Sequence, residues 1–356
     1  MANIAIVGAG LMGSATSFPL SDNGHSVRLV GTHLDNETIQ SCKEMNYHPR
    51  LKRHLPPNVT PFYIEEIAEA LKGVEVILSG VNSLGVHWMG KTLGPHLQPG
   101  QIIIAITKGL EVDALGNLTI LPDVLRSELP SAIQDRISYA AVGGPCIAGE
   151  LAGRRNSLVV FSSRDSAIVN KLATIFRTSY YHIWTTTDLI GLEICAALKN
   201  AYTLAVGFAS GLLDKSGGVD GSGAYMHNLA AGIFGESATE ISKVLQLSGA
   251  NSSFAYGLPG VGDMYVTCMG GRTVRLGKLI GEGNSYSKAR TIMAGETLEA
   301  AEIIRVMGDA LTVMESRGLI SSMDLPLMRF LIDTIVNNKT IEVPLDKFFG
   351  GLQRLQ

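Results

Sequence analysis

Near the start of the chain, Ile4-Ala5-Ile6-Val7-Gly8-Ala9-Gly10-Leu11-Met12-Gly13 runs an apolar strand into a G-x-G-x-x-G turn. Each glycine has its own physical task in holding a dinucleotide. Gly8 permits the tight turn, Gly10 lets backbone approach a pyrophosphate, and Gly13 lets the next helix pack on the strand. The helix that follows aims its unpaired N–H groups and positive dipole end at the phosphates. A second chemical feature lies far along the chain, where Lys199 and Asn200 interrupt the apolar run from Ile194 to Leu213. A lysine at the centre of a membrane span is costly, so the run reads as a buried helix carrying a functional polar pair.

These groups need a scaffold. Ala15 to Leu20 continue a helix toward Asn23-Gly24, and Ser26 to Val30 read as a second strand. The acid that grips the ribose of NAD is expected about 20 residues beyond the glycines. That stretch is Val30-Gly31-Thr32-His33-Leu34-Asp35, with no carboxylate before Asp35. Thr32 and His33 could bond a 2′-phosphate instead, while Arg28 sits further back in the strand, so NAD and NADP both stay open. Continuous apolar strands are expected at Val74–Ser79, Gln101–Thr107, Ser138–Val142 and Ser157–Phe161, with helices at Ile64–Leu71 and Leu115–Leu125. Runs of that kind suit a largely parallel sheet buried on both faces. Ligands in such sheets sit beyond the carboxyl ends of the strands. That rule singles out Val81-Asn82-Ser83, Thr107-Lys108-Gly109 and Gly143-Gly144-Pro145-Cys146.

After Asp188 the pattern becomes helical, over Ile190–Ser210, Tyr225–Gln246, Val274–Ile280, Thr297–Arg317 and Leu325–Val336. The expected organisation is a dinucleotide-binding domain over residues 1–187 and a helical substrate-binding and catalytic domain over 188–356, with catalysis in the crevice between them. At 356 residues, 46% of them hydrophobic, the chain can fill two cores. A net charge of −3 without a basic block gives no footprint for nucleic acid. Cys42, Cys146, Cys195 and Cys268 are scattered without a C-x-x-C pair, which fits free thiols in a reducing cytoplasm. The eight histidines lack ligand spacing, and no metal is expected. The chain opens on a core strand, so no cleavable signal and no membrane insertion are expected.

Taken in order, Gly8-x-Gly10-x-x-Gly13, Thr107-Lys108-Gly109-Leu110-Glu111, Gly144-Pro145, Gly191-x-Glu193, Ala197-Leu198-Lys199-Asn200 and Gly260-x-Gly262-Asp263 through Thr267-Cys268 to Gly271-Arg272 resemble the NAD(P)-dependent glycerol-3-phosphate dehydrogenase family. The resemblance runs from about residue 4 to about residue 283 and is loose after about Glu296. It implies an α/β fold: an N-terminal Rossmann-type doubly wound sheet, and an all-α C-terminal domain like that of 6-phosphogluconate dehydrogenase. It also implies a homodimer, NAD or NADP, and a small phosphorylated substrate. Lys199 would be the acid/base, with Lys108 a second cation near the substrate and Asp263 orienting or balancing Lys199. Asn200, Thr267, Arg272 and Thr273 would bind substrate, Arg272 as the phosphate anchor. Cofactor contacts would come from Gly8, Gly10, Leu11, Met12, Gly13, Thr32, His33, Asn82, Lys108, Ala148 and Arg272.

An ammonium suits this chemistry because hydride arriving at a ketone carbon builds negative charge on oxygen. A planar guanidinium suits the phosphate. Four departures bear on substrate and cofactor, one of them an Asn-x-Lys stretch that is poorly preserved around His227 and Asn228. Thr273 replaces the asparagine usual after the arginine, Cys146-Ile147 replaces Ser/Thr-Phe, and Met293-Ala294-Gly295 stands where the family has Val-Glu-Gly. The expected reaction is reversible reduction of dihydroxyacetone phosphate to sn-glycerol 3-phosphate. The alternatives are a dehydrogenase of another small phosphorylated sugar or polyol, and a non-catalytic dinucleotide sensor.

Overall fold

The structure, a computed structural model, describes residues 1–341. Chain contacts divide it into two compact units, one of residues 1–108 with 120–193, the other of 109–119 with the chain from Ile194 onward. The single expected cut at 187/188 therefore differs in two ways. The first turn of the long helix stays with the first unit, and an eleven-residue segment, Gly109–Thr119, joins the second.

The first unit is built on eight strands: β1 (Asn3–Val7), β2 (Ser26–Val30), β3 (Val59–Phe62), β4 (Val76–Ser79), β5 (Ile102–Ala105), β6 (Ser138–Gly143), β7 (Ser157–Ser163) and β8 (Tyr181–Thr186). They lie side by side in the order β8-β7-β6-β5-β4-β1-β2-β3. Every neighbouring pair is parallel except β6 with β7, where Ala140 faces Ser163 and Gly143 faces Val160. Strand residues alternate between two cores. Ile4, Ile6, Val27, Leu29, Leu78 and Ile104 pack into one. Ala5, Val7, Val30, Ile77 and Ile103 pack into the other. Both faces are thus dry, which is why these strands read as unbroken apolar runs. Helices α1 (Leu11–Asp22), α2 (Asn36–Met45), α3 (Val86–Leu93), α4 (Leu121–Ser127), α5 (Ala148–Ala152) and α6 (Ser166–Phe176) alternate with the strands.

Two expected helices are corrected. Ile64–Leu71 is a 3-10 turn over Ile64–Glu66 followed by a single α turn, Ile67–Ala70. Leu115–Leu125 splits: Leu110–Val112 and Leu118–Ile120 form a hairpin, and α4 begins only at Leu121. The Asp113 carboxylate accepts from the N–H groups of Leu115 and Asn117, and Gly116 has φ +81°, so side-chain capping makes a turn where apolar spacing suggests a helix. The hairpin packs in the second unit, where Arg317 donates to the Asn117 side chain at 2.6 Å. The second unit is therefore not entirely helical.

Its helices are α7 (Leu189–Lys215, whose first turn belongs to the first unit), α8 (His227–Leu247), α9 (Asp263–Cys268), α10 (Arg272–Gly281), α11 (Tyr286–Ile292), α12 (Glu299–Ser316) and α13 (Pro326–Ile335). Helix α7 is apolar enough to cross a membrane by composition, yet 89% of its most apolar window is buried inside the protein. It serves as a core helix. Its Gly207 and Gly211 meet Gly277 and Gly281 of α10 with backbone against backbone: a Cβ built on Gly277 would lie 2.0 Å from the carbonyl oxygen of Leu204, and one on Gly211 would lie 2.1 Å from that of Lys278. A carboxylate also ties three helices. Glu240 of α8, 2% exposed, accepts from the Tyr202 hydroxyl of α7 at 2.8 Å and from the first N–H groups of α13, Leu327 at 2.6 Å and Met328 at 2.9 Å. Those donors and the positive end of α13 favour the anion, but burial dominates and pushes the Glu240 carboxyl up to about 7.

Candidate active site

In the first unit, the expected cofactor residues gather at the carboxyl ends of the parallel strands. Gly8 has φ +113°, and a Cβ there would strike the backbone of Gly80 at 2.6 Å. A Cβ on Gly13 would strike the Gly8 carbonyl at 2.4 Å. Both glycines answer to the protein's own packing. Gly10 does not: its φ of −70° suits any residue, and its nearest neighbour to a built Cβ is the Gly80 carbonyl at 3.9 Å. The space beside Gly10 opens at the start of α1, which has no side-chain cap and no acid in its first turn. That is a cradle a Cβ would enter, aimed along a helix dipole, and it fits a dinucleotide pyrophosphate. Gly10→Val should leave the melting temperature within about 3 °C, as for surface changes generally. It should weaken NAD(P)H binding about a hundredfold or more, roughly 3 kcal/mol. Fluorescence titration of NADPH beside a thermal melt checks both. Equal binding by the two proteins would remove Gly10 from the phosphate site.

The turn is held from below. His48, fully buried, receives the Leu51 N–H on Nδ1 at 3.1 Å, which leaves Nε2 to donate to the Ala9 carbonyl at 3.1 Å. Burial lowers its pKa, keeping the ring neutral. Asp35 also serves the turn, since its Oδ2 accepts from Ala9 N at 3.2 Å, Thr32 N at 2.9 Å and Thr32 Oγ1 at 2.8 Å. Thr32 is accordingly buried and engaged with Asp35, whereas His33 is exposed with its ring edge-on to Trp88 at 5.5 Å. Arg28 is occupied with the carbonyls of Glu69, Ala70 and Lys72. Leu11 and Met12 form the first turn of α1, and Ala148 opens α5. Asn82 follows β4 and accepts from Gly85 N at 3.1 Å, capping a helical turn. Lys108 follows β5, just past Thr107, whose hydroxyl donates to the Val81 carbonyl at 2.7 Å.

The second unit holds the other group. Lys199, 4% exposed, donates to Asp263 Oδ1 at 2.8 Å and to Thr267 Oγ1 at 2.7 Å. Thr267 in turn donates to the Asp263 carbonyl at 2.7 Å, so its hydroxyl is oriented to receive the ammonium. Asp263 is itself 3% exposed and is delivered by a wide π-helical turn, Leu258–Gly262. Turns of that kind often mark functional sites. Asn200, the residue after Lys199, is 7% exposed. Cys268 borders the cluster, and burial pushes its thiol up to about 11 against the pull of the Lys199 charge, so it is a thiol and no nucleophile at neutral pH.

Arg272 and Thr273 open α10, directly after Gly270 and Gly271; both glycines face open space, and Gly271 has φ +102°. Arg272 is exposed at that helix N-terminus, where guanidinium, backbone N–H groups and dipole all favour an anion. Arg275, one turn on, pairs with Glu296 at 2.7 Å. In the segment that replaces Val-Glu-Gly, Met293 is buried and Ala294 exposed, and the nearest carboxylate in sequence is this engaged Glu296. Among the described residues, no three metal-ligating side chains converge.

Comparison with known proteins shows the family to which the chain belongs. Residues 3–169 match the family model for the N-terminus of NAD-dependent glycerol-3-phosphate dehydrogenase, and residues 188–346 match the model for its C-terminus. The chain belongs to this family. An NADP(+)-dependent glycerol-3-phosphate dehydrogenase of Archaeoglobus fulgidus is 36% identical over 286 residues, 80% of this chain and 82% of that one. A glycerol-3-phosphate dehydrogenase [NAD(P)+] of Lactobacillus delbrueckii subsp. bulgaricus is 32% identical over 344 residues, 95% of this chain and 93% of that one. The crystal structure of a glycerol-3-phosphate dehydrogenase from Coxiella burnetii shares the fold, with a TM-score of 0.79 at 23% identity and 99% coverage of both chains. Family membership makes the protein an NAD(P)-dependent oxidoreductase acting on a CH–OH group of a small phosphorylated compound.

Sequence reasoning left several supporting residues without a role. His48 and Glu240 carry no local pattern, because their partners lie elsewhere in the chain. The four-residue spacing shared by Gly207/Gly211 and Gly277/Gly281 was a usable signal for a close helix crossing.

Proposed function

We propose that Lys199 is the general acid/base in the reversible reduction of dihydroxyacetone phosphate to sn-glycerol 3-phosphate. The buried Lys199–Asp263–Thr267 cluster carries this reading. An ammonium has three donors, and fixing two of them on Asp263 and Thr267 sets the direction of the third. Bound NAD(P)H supplies the hydride. As charge develops on the carbonyl oxygen, the ammonium stabilises it and gives up a proton, and Asp263 favours return of the amine to its charged form. In the oxidative direction the same amine accepts the alcohol proton. Lys108 supplies a second positive charge for the substrate, Asn200 and Thr273 bond it, and Arg272 anchors its phosphate. Binding the non-reacting phosphate spends remote binding energy on holding the carbonyl still.

The first unit takes NAD or NADP. Exposed His33, with Asp35 engaged in the turn, leaves room for a 2′-phosphate. A cytoplasmic homodimer completes the proposal, in keeping with four free cysteines. Arg272→Ala should raise KM for dihydroxyacetone phosphate roughly 10- to 100-fold, the range for lost charge-assisted hydrogen bonds. Its affinity for NADPH should change far less. Initial rates over a substrate series measure this, and an unchanged KM would reject the anchor. Thr273 and Ile147 favour a second reading, a slightly larger sugar phosphate as substrate, and a panel in which only the three-carbon ketone phosphate turns over would eliminate it.

A further inference from the structure

Between α2 and β3 the chain makes a small hairpin. Its strands are Tyr47–His48 and Arg53–His54, with Tyr47 opposite His54 and His48 opposite Arg53. Leu51 and Leu55 are buried in the core that also holds Ile4 and Ile6, so the hairpin is fixed to the sheet. Its turn is closed by the Leu51 N–H on His48 Nδ1, and the other nitrogen of that ring meets the Ala9 carbonyl. The segment after β2 reaches the same residue, since Asp35 Oδ2 accepts from the Ala9 N–H. Ala9, inside the glycine turn, is therefore a junction. The hairpin holds its carbonyl, and the strand-end segment that in such folds reads the adenine ribose holds its N–H.

The hairpin is basic: Arg50, Lys52, Arg53 and His54 are all exposed. They are not equivalent. Arg53 lies against the end of α5, its Nη2 3.1 Å from a Cβ built on Gly153. The His54 ring meets that of Tyr47 edge-on and the Asn46 carbonyl. Lys52 lies beyond the closure of the turn. Arg50 sits inside it, between His48 and Leu51, and engages no carboxylate or carbonyl among the described residues. Its charge and that of Asp35 both act on the His48 ring, which puts the guanidinium and the ribose-side segment about one side chain. The other cations nearby are occupied. Arg28 of β2 is taken up by three carbonyls, and Lys43 of α2 by Glu66 at 2.6 Å. NAD and NADP differ only at the 2′ position, where an acid suits the hydroxyl and an arginine the phosphate. Asp35 Oδ2 is committed to Ala9 and Thr32, whereas the Arg50 fork has its donors open for a phosphate.

We infer that Arg50, held beside the dinucleotide turn by His48, reads the 2′-phosphate and makes this protein prefer NADP(H) to NAD(H). The inference rests on the reading that the first unit takes a dinucleotide at the Gly8–Gly13 turn, and goes beyond it by choosing between the two cofactors.

Calorimetric titration of 5′-AMP, 2′,5′-ADP, NADH and NADPH tests this without turnover. Wild type should bind 2′,5′-ADP about 10- to 100-fold more tightly than 5′-AMP, the range for charge-assisted hydrogen bonds. Arg50→Gln should lose most of that difference and bind NADPH correspondingly more weakly, with its affinity for NADH within about threefold of wild type and its melting temperature within about 3 °C, as for surface changes generally. Lys52→Gln should alter NADPH affinity less than about threefold. Wild type binding the two adenosine phosphates alike overturns the inference and leaves the dinucleotide site standing. Equal losses of NADH and NADPH in Arg50→Gln, the mark of a merely structural hairpin, overturn it too, as does a loss from Lys52→Gln as large as that from Arg50→Gln. A wild type that binds neither dinucleotide removes the cofactor site and the inference with it.

Discussion

Replacing Lys199 by methionine should reduce turnover of dihydroxyacetone phosphate about a hundredfold or more, the usual contribution of an acid–base group, while NADPH binding persists. The same change should also destabilise the protein. It leaves Asp263, 3% exposed, without the ammonium 2.8 Å away, and breaking one side of a buried ion pair costs about 3–5 kcal/mol. A loss of activity in the single variant is therefore ambiguous between chemistry and folding. The double variant Lys199→Met with Asp263→Asn separates them, because replacing both charges is often close to neutral for stability. Its melting temperature should recover toward wild type, and its turnover should not. Thermal melts and single-turnover rates on all three proteins measure this. Recovery of activity along with stability would show that Lys199 holds the fold and donates no proton.

A second large effect is expected far from any charge. Gly277→Val places a side chain where the Leu204 carbonyl oxygen lies 2.0 Å from the Cβ position and the Gly207 Cα 3.1 Å away. No rotamer avoids that contact, since it is made by the first side-chain carbon against backbone. Helices α7 and α10 must separate, at a cost of about 3 kcal/mol or more, or roughly 6–12 °C in melting temperature for a unit of this size. Lys199 rides on α7 and Arg272 opens α10, so their separation also shifts the proposed proton donor relative to the proposed phosphate anchor. KM should rise along with the instability. Gly235→Ala is the control: this glycine is exposed on α8 with nothing within 4 Å of a built Cβ, and alanine there should be neutral or stabilising by about 0.5–1 kcal/mol. Similar losses from both substitutions would mean that the glycine crossing is not what fixes α7 and α10.

How far the sequence could be read depended on whether a feature is local. The strand into Gly8, Gly10 and Gly13 is local, and so are the doubly buried strands β4 to β7; both are visible as short patterns with one physical cause. Lys199-Asn200 stood out because a charge in an apolar helix is rarely idle. Its partner Asp263 is 64 positions away, and only the motif resemblance brought the two together beforehand. The antiparallel pairing of β6 with β7 escaped because a doubly buried strand looks the same in either direction. The hairpin Leu110–Ile120 escaped because Asp113, acting on the N–H groups of Leu115 and Asn117, outweighed apolar spacing. The engagement of Thr32 was hidden for a related reason, since its hydroxyl donates to Asp35 in the turn. Glu193 is the sharpest case: its motif was legible, but its complete burial without a hydrogen-bond partner among the described residues is not revealed by one helix pattern.

The most direct measurement is the initial rate of NADH and NADPH oxidation with dihydroxyacetone phosphate, alongside four- and five-carbon ketose phosphates and an unphosphorylated ketone. Rapid, saturable turnover of the three-carbon phosphate, and little or none of the unphosphorylated ketone, is the expected result. Turnover of the unphosphorylated ketone at a comparable rate would contradict it, because the Arg272 end of the site would then hold nothing that the reaction needs.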